Sequence, residues 1–343
     1  MPPIKIFHKR KLRLPRLDRH PYAMATEARP ASWKILLAFG IIYCVWGSTF
    51  LAIRVGVREI SPFLMAGMRF LAAGLLLYGW MRVKGVANPA AREWRGICIQ
   101  GTLIFLVDYG CVFWAEQRVP SGITAVVLGT IAIFIPLLEI SILRTQQLTL
   151  RLSLALAGGI CGVAVLMNRT FSLGEAPIDR MGALALLIAA FTWSVATILT
   201  RKLTLPASKP MSAAAQMTVG GIQLLALAAA TGEFAGFDPG AVSLKTWLAL
   251  VYLIFAGSIA GFTAYIWLLH YESPTKVGTY AYVNPVVAVL VGHFAGGESI
   301  GLRTIVGSAL VLVSVVVIST MPAKSRARTP ATAKLAPAGS STE

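Results

Sequence analysis

The chain has 343 residues, 56% of them hydrophobic and only 13% charged, with mean hydropathy +0.72 and a formal net charge of +17. Apolar content above the roughly 45–50% of ordinary globular domains excludes a water-soluble fold and makes the bilayer the solvent. A hydrocarbon core about 30 Å thick needs roughly 20 mostly apolar residues per helical crossing, and such stretches recur along nearly the whole chain.

In chain order, a basic tail comes first, residues 1–33, with FHKRKLRLPRLDRH at its heart. It has no interleaved aromatic platform or base-reading fold, so attraction to anionic inner-leaflet lipid is expected rather than nucleic acid binding. It also lacks the apolar core of a cleavable signal peptide, so the first span is expected to act as an uncleaved insertion signal. Met24, eleven residues before Ile35, is a second candidate start. Ten apolar stretches follow, at about 34–54, 62–82, 95–115, 121–143, 149–168, 181–200, 212–232, 246–269, 276–296 and 302–321. The intervals between them leave no room for a folded soluble domain. The tail 322–343 is small, polar and proline-containing, the composition of a disordered segment.

Ten crossings put both termini on one side. Of the 31 Lys and Arg residues, 23 then fall on the side of the tails, 7 on the other, and Arg69 lies inside a span. Positive charge marks the cytoplasmic side, which predicts that both termini are cytoplasmic. Cys44, Cys98, Cys111 and Cys161 all fall within spans and form no CxxC pair, so they read as small buried hydrophobes rather than disulfide or zinc ligands.

The chain repeats itself. Trp46 in IIYCVWGSTFLAIR aligns with Trp193 in IAAFTWSVATILTR, and the same 147-residue shift aligns Arg54 with Arg201. RVPSGITAVVLGTI aligns with ESPTKVGTYAYVNP at a shift of 154. Five spans per unit is an odd number, so the second unit is expected upside down relative to the first, as in many secondary transporters. The boundaries are 34–168 for the first five-helix repeat, 169–180 for a linker and 181–321 for the second.

Four blocks, WGSTFLAIRVG, SPFLMAGMRFLAAGLLL, FWAEQRVPSGITAVVL and SPTKVGTYAYVNPVVAVLVGHFAGGESI, resemble the EamA-type family of the drug/metabolite transporter superfamily, over residues 33 to 321. The resemblance implies an all-α integral membrane protein of ten transmembrane helices, two inverted five-helix repeats around a central cavity. It also implies movement, usually export, of small metabolites or toxic compounds across the bacterial inner (plasma) membrane. Two departures stand out: the proline common in the fourth span of the family, near Ala132, is here Pro136, and the Gly-Glu pair kept at Gly297 and Glu298 reads RTQQ in the first half.

Several residues are candidates for the site. Pro285 has no N–H for the carbonyl of Ala281, so YAYVNPVVAVLVG is expected to bend near its middle. Asn284 offers a donor and an acceptor beside the break, and Tyr280 lies one turn earlier on the same face. The stretch then lines the cavity or is a packed structural kink. Arg69 and Asp108 stand about seven residues from the same membrane face, a depth of roughly 10 Å, and charges there generally find partners. An Arg69–Asp108 pair is expected, either fixed and structural or opening to take substrate or a proton. Glu139, at the inner end of its span, reads as an interfacial residue or gate. Trp46 and Trp193 lie away from the interfacial belts, so they are an aromatic wall for the solute or ordinary packing. The GxxxG spacings Gly158–Gly162, Gly257–Gly261 and Gly292–Gly296 read as helix packing.

The leading function is alternating-access transport of a small organic metabolite or drug-like compound. A membrane-embedded enzyme is the second reading, but HExxH, the phosphate-binding GxxxxGK[ST] loop and an intramembrane Asp pair are all missing from the sequence. The four histidines, His8, His20, His270 and His293, share no metal-ligand spacing. A receptor or scaffold is the third reading. Expected partners are the small-molecule substrate and the lipid bilayer, with a proton and a second copy of the chain in a homodimer as further candidates; no cofactor, metal or nucleic acid is expected.

Overall fold

A computed structural model describes residues 30–119, 121–143, 149–167, 179–296 and 302–319. The described chain is helical: α1 Ser32–Gly56, α2 Pro62–Val83, α3 Ala91–Glu116, α4 Ser121–Ile142, α5 Leu150–Met167, α6 Arg180–Leu199, α7 Lys209–Ala230, α8 Leu244–Tyr271, α9 Tyr280–Gly296 and α10 Leu302–Ser319. Among the described residues seven of these, α1 to α4 and α6 to α8, are long and apolar enough to cross a membrane; α5 and α9 contain shorter apolar stretches, Leu150–Gly162 and Val283–Ala295. A short helical turn, Pro274–Val277, precedes α9.

Local sequence sets the ends, and it does so in matching places. Ser61 precedes α2 with Pro62 in its first turn, and Ser208, 147 residues on, caps α7 by accepting the Met211 N–H, with Pro210 behind it. Proline suits this position because its missing N–H would have no helical acceptor anyway. After α2 and α7 the chain reverses at Gly85 (φ 78°) and Gly232 (φ 76°), again 147 apart, where only glycine enters the left-handed region without strain. The third span of each half carries a stretch of wide π turns, Gly101–Tyr109 in α3 and Leu253–Ala260 in α8. Such turns are rare and recur at functional sites.

Packing pairs each helix with one from the other end of the chain. α2 lies on α7, α5 on α10 and α1 on α9, while α6 packs against α3 and α4. The α2–α7 crossing is close because it is glycine-lined: a Cβ on Gly74 would meet the Thr218 backbone nitrogen at 2.5 Å, and one on Gly221 would meet the backbone of Leu71. Small residues at a crossing gain dispersion contact where lipid offers no hydrophobic drive.

Trp33 and Lys34 at the start of α1, Trp80 near the end of α2, Lys209 at the start of α7 and Trp267 near the end of α8 border one groove. These ends therefore share a face, termed the tail face here because the N-terminal tail leads into α1.

α9 runs as helix with Pro285 buried inside it, and a turn at Gly278–Thr279 precedes it. Two expectations change. The fourth span, read as one run over 121–143, is divided by a turn at Gly129–Thr130 and ends in π turns from Glu139 on, so the interruption precedes Pro136. The four cysteines are free, and Cys44, Cys98 and Cys161 face outward rather than inward, an orientation that lipid permits to a side chain as apolar as a thiol. The tails 1–29 and 320–343, most of the linker, and the pair Gly297 and Glu298 lie outside the described residues.

Candidate functional site

Four rings from four helices form the centre of the molecule. Trp46 of α1 meets Trp193 of α6 edge to face at 5.4 Å, Tyr265 of α8 at 5.3 Å and Tyr280 of α9 at 5.0 Å, and Trp193 meets Tyr265 at 5.1 Å. Tyr109 of α3 joins from the side, 5.9 Å from Trp193. Edge-to-face contact sets ring hydrogens against the negative face of the neighbour and holds each ring at a fixed tilt. Polar handles fix two of them further. The Trp46 indole N–H donates to the Gly257 carbonyl at 2.9 Å, and the Tyr265 hydroxyl bonds Thr197. Among the described residues, the Trp193 indole nitrogen and the Tyr280 hydroxyl are buried with no hydrogen-bond partner.

Trp46, Tyr109, Trp193 and Tyr280 wall a cavity of about 50 Å³, whose lining includes Thr49, Asp108, Asn284 and the apolar Phe50 and Val112. That space suits a few waters, each needing ~10–15 Å³, and not an organic solute. Asp108, 3% exposed, faces it. Asn284 also reaches the cavity, but its amide faces the carbonyls of Tyr280, Tyr43 and Ile42 at 3.1, 3.2 and 3.3 Å. Its nitrogen is therefore the atom turned to them, and it ties α9 to α1.

The expected Arg69–Asp108 pair does not form: no hydrogen bond or ion pair joins them. Arg69 is fully buried, donates from Nε to Ser258 at 2.9 Å, and lies over the rings of Phe70 (4.6 Å), Tyr109 (5.1 Å) and Phe113 (5.8 Å). Both terminal nitrogens are without a hydrogen-bond partner. The reason is azimuth. Tyr109, at the end of the wide-turn stretch, occupies the side of α3 that faces Arg69, while its neighbour Asp108 is directed to the cavity. The Gly257–Gly261 pair is likewise more than helix packing, since a Cβ on Gly257 would meet Arg69 Nη2 at 2.9 Å and one on Gly261 would strike the Trp46 ring. These glycines make the room in which the two side chains lie.

At the tail face Glu139 accepts from the backbone N–H of Thr275 at 3.2 Å and from its hydroxyl, capping the short turn before α9. Beside it Tyr43 bonds Thr279 at 2.7 Å, and Arg201 donates to the Glu272 carbonyl at 2.5 Å. At the opposite face a chamber of about 420 Å³ is lined by Arg54, Arg58, Arg118 and Glu116. Glu116 is 3% exposed, and neither carboxyl oxygen has a hydrogen-bond partner. Two other carboxylates cross between the halves there. Glu59, after α1, accepts from the Ser243 N–H (2.8 Å) and hydroxyl (2.9 Å) at the start of α8. Glu233, after α7, accepts from the Leu64 N–H (2.8 Å) in α2. The Ser243 donors hold the Glu59 carboxyl below its usual range, whereas burial raises that of Glu233.

Of the residues singled out from sequence, Trp46, Trp193 and Tyr280 meet in the ring cluster, Asp108 and Asn284 line its cavity, Arg69 lies behind Tyr109, Pro285 is buried beside Asn284, and Glu139 stands at the tail face. Sequence reasoning missed Tyr109, Thr197, Tyr265 and Glu116. A tyrosine inside a span is a signal for the first and third. Glu116 fell one residue past the span end placed at 115, whereas the helix continues through it.

Comparison with known proteins follows the same lines. The profile of the EamA-like transporter family matches residues 32–168 and again 180–320. The chain is 34% identical over 291 residues to the uncharacterized inner membrane transporter YedA of Escherichia coli (strain K12), covering 83% of this chain and 92% of that one. It is 26% identical over 278 residues to a probable amino-acid metabolite efflux pump of Salmonella typhimurium, covering 79% and 90%. A solved crystal structure shares the fold with TM-score 0.64 at 21% identity, over 84% of this chain and 96% of that one.

Proposed function

Because the chain belongs to the EamA-like transporter family, we propose that it exports a small organic metabolite or drug-like compound across the bacterial inner membrane by alternating access. The observation that carries this reading is the convergence of Trp46 from one half with Trp193, Tyr265 and Tyr280 from the other around the cavity that Asp108 faces. A flat, polar-edged box suits an amphipathic or aromatic solute, and a carboxyl beside it suits a cationic group or a proton.

All ten helices cross the membrane in this reading, as two inverted halves over 34–168 and 181–321 joined by the linker 169–180. The matched caps and glycines 147 residues apart, the π turns in both third spans and the double profile match support it. So does the fate of the repeat-related arginines, Arg54 at the opposite face and Arg201 at the tail face. The tail face is cytoplasmic, in keeping with its share of the Lys and Arg residues.

The cycle then runs between two closures. Glu139–Thr275 and its neighbours tie the tail face, while the 420 Å³ chamber beneath Arg54 and Glu116 lies open on the other side. Since about 50 Å³ holds no organic solute, the rings must part on binding, and Asp108 gains or loses its proton or counter-charge as they do. The test is a solute screen with purified protein in liposomes, with and without a pH gradient. Counterflow of at least one amphipathic compound is expected. Saturable binding without flux for every compound bound would replace the carrier with a receptor.

A further inference from the structure

The lining of the ring cavity carries charge of one sign. Among the described residues Asp108 is its one charged side chain, 3% exposed and held by no protein hydrogen bond or ion pair. Arg69 stands behind Tyr109, where Ser258 and three rings engage it. The other polar groups of the wall are neutral, and two of them are committed. Thr49 donates to the Trp46 carbonyl at 2.7 Å, and the Asn284 amide nitrogen is turned to three carbonyls. Two donors are left over, the Trp193 indole N–H and the Tyr280 hydroxyl, both buried without an acceptor and carried on rings 6.3 Å apart. Phe50, Ile53, Val112, Leu128 and Ile131 make the rest of the lining mostly apolar.

Charge balance selects the solute. A charge buried at membrane depth is costly unless something compensates it. A monocation beside the Asp108 carboxylate leaves the box neutral, and the faces of Trp46, Trp193 and Tyr280 add cation–π attraction once the rings part around it. A zwitterion such as a free amino acid would bring a second carboxylate into the same space and leave negative charge uncompensated, as would an anion. The two idle donors then call for a neutral acceptor, because a buried N–H or O–H regains what it lost in desolvation only by meeting a lone pair. We propose that the solute is a monocationic organic amine with an apolar body and a neutral oxygen close to the nitrogen, its ammonium on Asp108 and its oxygen between Trp193 and Tyr280. This rests on the ring box being the transport site, and it sets free amino acids aside as preferred cargo.

The test compares four compounds that share a phenyl group, titrated calorimetrically into the full-length protein in detergent near neutral pH. Phenylalaninol is a cation with a hydroxyl, phenylalanine the corresponding zwitterion, phenethylamine a cation without the oxygen, and 3-phenylpropanol neutral. Phenylalaninol should bind at least about tenfold more tightly than each of the others. Asp108→Asn should erase the preference for charge, so that phenylalaninol and 3-phenylpropanol bind alike. Trp193→Phe and Tyr280→Phe should narrow the lead of phenylalaninol over phenethylamine while the preference for cations over the zwitterion persists. Phenylalanine bound as tightly as phenylalaninol, an affinity for phenylalaninol that Asp108→Asn does not move, or binding of none of the four would overturn the assignment. Counterflow of phenylalanine faster than that of phenylalaninol in liposomes would also overturn it, yet leave the carrier standing. Phenylalaninol bound through Asp108 but never carried would sink the carrier and keep the site.

Discussion

Trp46 and Trp193, 147 residues apart in sequence, meet edge to face with centroids 5.4 Å apart and planes at 88°. Two residues that the 147-residue shift aligns in sequence thus touch at the centre, each completing the wall that the other begins. Trp46→Phe deletes the N–H bonded to the Gly257 carbonyl, whereas Trp193→Phe deletes an N–H that has no partner. The first should cost about 1 kcal/mol more stability than the second. Both should lower liposome transport by at least about tenfold, a contact worth roughly 1.4 kcal/mol, if the rings contact the solute. Wild-type flux in Trp193→Phe would remove that ring from the path.

Arg69 and Asp108 answer to different neighbours, so their single changes should be additive. Arg69→Gln forfeits the contacts with Ser258 and three rings, while Asp108→Asn removes a carboxyl that no protein donor holds. Asp108→Asn should therefore leave thermal stability unchanged or raised and still reduce transport. A double-mutant cycle should give coupling below about 0.5 kcal/mol. Coupling above about 1 kcal/mol would mean that the two charges act on each other after all.

Glu139→Ala removes the carboxylate that accepts from the Thr275 N–H and hydroxyl. A hydrogen bond to a charged group contributes about 1.5–3 kcal/mol, so the tail-face closure should open roughly ten times more often or better. With the native cysteines removed and Ala281→Cys placed in the cavity, an impermeant thiol reagent supplied from the tail side should label faster by that factor. An unchanged rate would show that the closure rests on other contacts.

Stability in acid should depend on Glu59. Its carboxyl titrates below the usual range because Ser243 donates to the ionised form, so the stabilisation is present above the unfolded-state value and lost as pH falls through the folded one. Between about pH 6 and pH 3 the melting temperature of the native protein should fall more than that of Glu59→Gln. Parallel curves would mean that the carboxylate contributes nothing measurable, the common fate of an exposed charge.

Orientation is open to chemical labelling in intact cells. Cysteines introduced at Asn88 and Ser208 should resist an impermeant thiol reagent, while one at Asp238 should react. The reverse pattern would place the tail face outside and turn the direction of transport around with it.

The span pattern was legible because an apolar stretch of bilayer length has few other uses, and Trp46 with Trp193 was legible because the 147-residue shift aligned them. Arg69 and Asp108 were not. Counting residues from a helix end gives depth, but direction around the helix depends on which neighbour claims the facing side, and the wide turns at Gly101–Tyr109 upset any count based on ordinary pitch. Tyr265 carries no motif and is aligned with no counterpart, so only the packed structure could gather it to the site.

Glu59 of the first half holds the start of α8 in the second, and Glu233 of the second holds the start of α2 in the first. The fastening is crossed, like laces drawn through two sides of a boot. A chain that reads as the same text written twice is therefore not two machines in tandem: half of it, expressed alone, would present unfilled helix caps and a single tryptophan where a box should be.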